Sequence, residues 1–314
     1  MNFVKLLNEW LKYMEAQVKP STYSCYLRLA KKHIEPYFSG ISAENINQTV
    51  ISTFITEKLE KGRSDGRGGL SEKTVKDIMS VVNSVCKYGD TVYNVKRQPL
   101  LKWHYSNISK PVQIFTVEEQ KVLENYLILD ITPQKLGILI CLYTGMRLGE
   151  ICALTWNNVD VERKVFHIEK TVQRIYAKDM LGTHIFIGSP KTQSAIRDIP
   201  IASRLLPYLF SHKSQAEPAA CVIDSQARIF LDPRSYQLHY KSLLHQCGLP
   251  YRNFHTLRHT FATRCVEMDM DVKSLSEILG HSNVNITLNR YVHSSIELKR
   301  NQIEKLCQIG NAVL

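Results

Sequence analysis

Apolar residues in this chain keep a helical spacing through the first 90 positions, lose it between about 95 and 114, and turn to strand-like alternation only between 164 and 201. That order constrains the fold more than any other property of the sequence. A helical segment, a break, and a second run of helices interrupted by one short sheet can only make a mainly α protein with a small antiparallel β-sheet, an α+β arrangement in two domains. The expected limits are 1–105 for a helical domain, 106–114 for a linker and 115–314 for a mixed domain. A chain of 314 residues is long for a single core, which agrees with that division.

Particular residues mark the elements. Phe3, Leu6, Leu7, Trp10 and Leu11 form one apolar face of a first helix. Ser21 reads as the cap of a second helix bearing Tyr23, Tyr26, Leu27, Ala30 and Ile34, which should end near Pro36. A third helix covers roughly 47–60. The stretch from Lys61 to Gly69 holds four glycines and three basic residues and reads as a solvated connection, with tracking of a polyanion's backbone as the alternative. Ser71 then caps a fourth helix, with Leu70 and Val75 spaced as a hydrophobic staple. Pro99 and Pro111 break the chain further along. Thr116-Val-Glu-Glu119 opens a new helix with a cap and an acidic first turn. Helices are expected over 133–143 and 148–155. A single antiparallel sheet follows, with Gly182 and Gly188 at its turns. Helices return after 203, including 255–268, 272–279 and about 283–293.

A formal net charge of +11 suggests a polyanionic partner. Residues 1–110 carry 17 Lys/Arg against 10 Asp/Glu, so the first third is the densest part of that charge. A hydrophobic fraction of 44% is ordinary for a globular protein. No uncharged apolar run reaches about 18 residues, and no basic amphipathic anchor stands out, so no membrane association is expected. The eight cysteines are scattered without a Cys-x-x-Cys pair. This argues against a disulfide framework and a cysteine-based zinc site, and places the chain in a reducing cytoplasm, associated with the nucleoid. Glu9 and the lack of a small-residue cleavage site make the N-terminus unlike a signal peptide.

Five residues of the expected mixed domain, with a tyrosine after them, are suited to breaking a phosphodiester without metal. Charge grows on the non-bridging oxygens as a fifth ligand adds to phosphorus, and planar, permanently charged guanidinium groups match it. Arg147 sits in Thr144-Gly-Met-Arg-Leu-Gly-Glu150, at a glycine hinge between helices. Arg258 lies in His255-Thr-Leu-Arg-His259, one helical turn from His255, so both can face one point. The leaving oxygen needs a proton, and Lys191, in the turn Ser189-Pro-Lys-Thr-Gln193, can supply it if neighbouring arginines lower its pKa. His281 follows Gly280, the expected stop of a helix. Tyr291 is the candidate nucleophile, provided that nearby cations stabilise its phenolate.

His255 and His259, four residues apart, also invite a metal reading. Thr256 stands where a zinc-protease signature requires Glu, and Arg258 between them would repel a cation. No metal and no other cofactor is expected, and His259 reads as a structural hydrogen-bonding residue.

In their order and local settings these motifs resemble the tyrosine recombinase (phage integrase) family. The segment 144–150 is similar to its first arginine box, 255–263 to its His-x-x-Arg box, Leu279-Gly-His-Ser282 to its second histidine box and Tyr291-Val-His293 to its nucleophile box. The Lys191 turn resembles its β-hairpin lysine. The likeness spans roughly 110–295, and the N-terminal helices match the family's core-site-binding domain more loosely, best at Ser21-Thr22 and Tyr26.

The resemblance implies that Arg147, Lys191, His255, Arg258 and His281 activate a DNA phosphate. Tyr291 would then attack to give a 3′-phosphotyrosyl link and a free 5′-hydroxyl. It assigns Glu150 to supporting Arg147. It further implies a clamp of two domains around double-stranded DNA at specific core sites, and a homotetramer on synapsed DNA. The tail 297–314, with Ile303, Leu306 and Ile309 in an apolar stripe, would dock on a neighbouring protomer or on its own domain. The expected function is site-specific recombination or integration for a mobile element or phage. A type IB topoisomerase with a similar residue set, and a non-catalytic DNA-binding accessory protein, are the rivals.

Overall fold

The computed structural model describes residues 1–96, 103, 112–176, 182–190, 193–291, 300 and 303–304. Two compact units are present, one of Met1–Lys110 with Arg174–Ile185, the other of Pro111–Gln173 with Phe186–Leu314. Among the described residues no helix is long and apolar enough to cross a membrane. Of the expected linker 106–114, residues 106–111 lie outside the described residues.

The first unit is built from helices α1 (Phe3–Glu15), α2 (Pro20–Leu29), α3 (Glu35–Phe38), α4 (Gln48–Lys61) and α5 (Glu72–Tyr93). The apolar face expected of α1 is the face it buries, namely Phe3, Leu6, Leu7, Trp10 and Leu11. Phe38 packs on Phe3 and on Phe54 of α4, with ring centroids 4.9 Å apart in each pair. Each such buried side chain contributes about 1.5–3 kcal/mol by leaving water. Ser71 accepts from the Thr74 N–H and caps α5, and Val75 is buried in the core on which the partly buried Leu70 also packs, at the spacing of a staple.

One expectation for this unit changes. Lys19, not Ser21, is the N-cap of α2, and Pro20 occupies its first turn, where a missing N–H costs nothing. The helical stretch ends at Phe38, close to Pro36 as expected. A π-helical turn, Ala30–Ile34, links α2 to α3, and Glu35 donates its N–H to the Ala30 carbonyl. The wider turn moves the carbonyls away from the proline ring that an ordinary α-helix would clash with, so the chain stays helical to Phe38.

The second unit opens with α6 (Val117–Leu129), which carries the full capping box between Thr116 and Glu119. Next come α7 (Pro133–Thr144) and the four-residue α8 (Leu148–Ile151). The helix expected over 148–155 is cut short because its continuation pairs with another segment. Val222 donates to the Leu154 carbonyl and Trp156 to that of Ala220, so the backbone bonds go to a neighbouring loop.

The expected single sheet is two sheets. Strands β1 (Val159–Asp160), β2 (Val165–Ile168) and β5 (Arg197–Pro200) form an antiparallel trio in the order β1-β2-β5, with Phe166 opposite Ile199. Strands β3 (Thr171–Tyr176) and β4 (Thr183–Gly188) form a separate pair. Gly182 lies between them as expected, whereas Gly188 is the last residue of β4 rather than a turn.

The remaining helices are α9 (Leu206–Lys213), α10 (Pro233–Gln246), α11 (His255–Glu267), α12 (Val272–Leu279) and α13 (Val284–Tyr291). Residues 292–293, which close the helix expected over about 283–293, lie outside the described residues. Helix α11 packs on α7, and α12 packs on α13 and β5. That packing brings the ends of α7 and α12 to one place.

Candidate active site

Helices α7 and α12 both stop on a glycine in the left-handed conformation, Gly145 (φ +64°) and Gly280 (φ +64°). An L residue there would be strained, and a Cβ on Gly145 would come within 2.6 Å of Phe261 and 2.7 Å of Leu279. The carbonyls at a helix C-terminus have no intrahelical partner and carry partial negative charge. Two arginines from other motifs satisfy them. Arg258 donates to the carbonyl oxygens of Gly145 and Leu279, each at 2.8 Å, and Arg147 donates to that of Gly280 at 2.9 Å.

Arg147 is the residue just before α8. Its main-chain N–H donates to Glu150 Oε2 at 2.9 Å, and its guanidinium to Oε1 at 2.7 Å. The expected support of Arg147 by Glu150 is therefore present as contacts. Burial alone would raise the Glu150 pKa, but the charge and hydrogen bonds of Arg197, then those of Arg147, outweigh it and hold it below the usual range. Arg197, on β5, was not singled out by sequence reasoning. It donates to both Glu150 oxygens at 3.2 and 3.0 Å and to the Ile278 carbonyl at 2.5 Å. In the sequence it is one charged residue in an alternating strand, with no sign of a buried partner.

Arg258 is 2% exposed. Burial and the nearby charge of Arg147 lower its pKa to about 9, which leaves it cationic at neutral pH. Arg147 keeps 36% of its side chain exposed. It lines, with Glu150, Gly280 and His281, an open cavity of about 340 Å³. One guanidinium is thus fixed in the floor while the other faces solvent.

His255 begins α11 and His281 follows Gly280. Burial, then Arg258, brings each to a pKa of about 4, so both rings are neutral at pH 7. His281 Nδ1 is engaged with the hydroxyl of the buried Thr287 at 2.8 Å, which fixes the ring and leaves Nε2 for other partners.

Tyr291 ends the described part of α13 and is 6% exposed. Its hydroxyl lies 2.7 Å from Nδ1 of His259. The hydrogen bond expected of His259 exists, and its partner is this candidate nucleophile. Cation stabilisation of the phenolate does not prevail in the unliganded chain. Burial raises the Tyr291 pKa above its ordinary value, against the pull of Arg258, Arg290 and Arg147.

Lys191 lies outside the described residues, as does all but three residues of the tail after Tyr291. The flanking Pro190 and Ala195 line the cavity that holds Arg147 and His281. Among the described residues no group of three or more His, Cys, Asp or Glu is placed to hold a metal ion.

Two arginines, two neutral histidines and a tyrosine hydroxyl drawn from four separated motifs are a set of groups suited to acting on a phosphate ester. Comparison with known proteins gives the same class. Residues 116–297 match the phage integrase family, and residues 2–59 match its N-terminal SAM-like domain. The chain belongs to the phage integrase family and is a tyrosine recombinase, an enzyme that cuts and rejoins DNA strands at specific sites.

It is 27% identical to a XerC-like tyrosine recombinase of Caldanaerobacter subterraneus, over 96% of this chain and 81% of the relative. It is 24% identical to the ICEBs1 integrase of Bacillus subtilis, over 98% of this chain and 83% of that one. The fold is shared with the Tn1549 transposon integrase solved in complex with transposon right end DNA. The TM-score is 0.79 at 22% identity, covering 98% of this chain and 100% of that one. It is shared also with a lambda integrase dimer bound to a core site, with a TM-score of 0.65 at 15% identity over 91% and 94% of the two chains.

Proposed function

We propose that this recombinase moves a mobile element, and that Tyr291 is its nucleophile. The observation carrying the reading is the interlock of Arg147 and Arg258 with the carbonyls of Gly280, Gly145 and Leu279. It holds two guanidinium groups beside the nucleophile-bearing helix before any substrate arrives. Such preorganised donors contribute most where charge develops in the transition state, about 2.7–4 kcal/mol for one donor in comparable sites. The names of relatives from ICEBs1 and Tn1549 support a mobile element, and the XerC relatives keep a chromosomal site as the second reading.

In this mechanism Tyr291 Oη attacks the scissile phosphorus of double-stranded DNA at a core site. Arg147, Arg258, His255 and His281 bind the non-bridging oxygens. Lys191 protonates the departing 5′-oxygen, and the free 5′-hydroxyl of another strand later reverses the step. Neither ATP nor metal enters the balance, because the bond energy stays in the phosphotyrosine. The domains 1–105 and 115–314, joined by 106–114, both bind the duplex. Four protomers act on synapsed DNA, each docking its tail 297–314 on a neighbour.

The test uses the full chain with labelled duplexes carrying the element ends and its flanking sequence. Strand exchange at one defined junction, lost in a chain truncated after 296 together with tetrameric assembly, is the expected result. Relaxation of any supercoiled plasmid by a monomer, without exchange, would return the topoisomerase reading. Binding without cleavage would return the accessory reading.

A further inference from the structure

His259 touches the one oxygen in the site that must become a nucleophile, and the chemistry of its other neighbour decides how. Nδ1 of His259 lies 2.7 Å from Tyr291 Oη, while Nε2 lies 3.2 Å from Nη2 of Arg290. Arginine has donors only. Nε2 must therefore accept, which means that it carries no hydrogen. The ring is neutral, since burial and then His255 bring its pKa to about 3. Its single proton is left on Nδ1, and the bond to Tyr291 runs from Nδ1–H to Oη.

We propose that His259, held in this tautomer by Arg290, donates to Tyr291 Oη and stabilises the phenolate as it attacks phosphorus. The inference rests on Tyr291 being the nucleophile. A base at this position would take the phenolic proton, whereas a donor makes that proton easier to lose by stabilising what remains. In the step, the Tyr291 O–H bond breaks and its proton leaves to water. The Oη–P bond forms, the P–O5′ bond breaks with its electron pair on O5′, and O5′ takes a proton from the general acid.

The surroundings favour this assignment. The His255 ring stands edge-on to His259 at 4.5 Å, and Arg258, Arg290 and His255 all oppose a second proton on it. Tyr291 itself faces Arg258, Arg290 and Arg147, and its ring lies 5.6 Å from that of His259. Burial raises the phenol despite these charges. Arg258 also hydrogen-bonds the Tyr291 side chain, and Nδ1–H of His259 adds a neutral donor on Oη without placing another charge in the floor.

The experiment is single-turnover formation of the covalent protein–DNA link on a nicked duplex, followed from pH 6 to about 10. His259→Phe should slow the step about 100-fold at neutral pH, with the loss shrinking as pH rises. His259→Asn, whose amide can offer N–H where Nδ1–H stood, should stay within about 10-fold of the wild type. His259→Asp, which only accepts, should be as slow as the Phe variant. Arg290→Met releases the tautomer and should cost about 5-fold.

If His259→Asp is faster than His259→Asn, the residue is a proton acceptor and the proposal is wrong. A wild-type rate and pH profile for His259→Phe would equally overturn it. Melting temperatures identify any variant that fails to fold, and the Asn and Asp pair decides the matter if the Phe variant does. Mass mapping of the linked peptide separates the two readings, because linkage to a residue other than Tyr291 would refute the nucleophile and the inference with it, whereas linkage to Tyr291 at a wild-type rate in His259→Phe would refute the role of His259 alone.

Discussion

Arg147 donates through Nη2 to the carbonyl oxygen of Gly280, a residue 133 positions further along the chain, at 2.9 Å. The first arginine motif and the second histidine motif are thus joined by one bond, and Arg258 joins the second to the first through Gly145 and Leu279. Residues far apart in sequence are held in register by the unpaired ends of two helices. Replacing Arg258 by Ala leaves two buried carbonyls without partners, so stability should fall by about 1–3 kcal/mol for each, read from urea unfolding. Arg258→Lys keeps a charge but not the fork, and strand cleavage should still drop about 100-fold or more.

Glu150 sits between Arg147 and Arg197 with 3% of its side chain exposed, and Arg197 is 6% exposed. Glu150→Gln would leave a buried guanidinium facing a neutral amide. Removing one partner of a buried pair costs about 3–5 kcal/mol. Thermal unfolding should show a cooperative transition at lower temperature, and cleavage should fall with it because Arg147 loses its anchor.

Acid should destabilise the unliganded protein through its histidines. His255 and His281 have folded pKa values of about 4 against an ordinary 6.5. Below pH 6.5 the unfolded chain binds these protons and the folded chain does not, so stability falls as pH drops from 6.5 towards 4. The melting temperature should decrease across that window. A bound DNA phosphate favours the protonated rings and should flatten the slope, whereas an equal slope with and without DNA would contradict the placement of these residues at the phosphate.

Phe54 tests the first unit independently. It is fully buried against Phe38 and Tyr37, with centroids 4.9 and 4.7 Å away. Phe54→Ala should destabilise by about 3–5 kcal/mol through lost burial and a residual cavity. The result should appear in the unfolding of the helical unit and in weakened DNA binding.

Local chemistry was legible in the sequence wherever one short stretch determines the outcome. The face of α1, the Thr116 cap with its acidic first turn and the stop at Gly280 depend on spacing and backbone conformation alone. Outcomes set by distant partners were not legible. Helix α8 ends early because 154–156 pair with 220–222, and Arg197 matters only because folding sets it against Glu150. The helix through Pro36 persists because of a π turn that periodicity cannot reveal. His259 was read correctly as a hydrogen-bonding residue, but which group it meets required the packing of α13 against α11.

The most direct measurement of the central claim is covalent capture on a nicked duplex whose short cleaved strand diffuses away. The wild-type protein should form a link that resists denaturation, mapped to Tyr291 and leaving a free 5′-hydroxyl, while Tyr291→Phe should bind the same DNA and form none. Capture undiminished in Tyr291→Phe, or no capture by the wild type on any element end, would contradict the account.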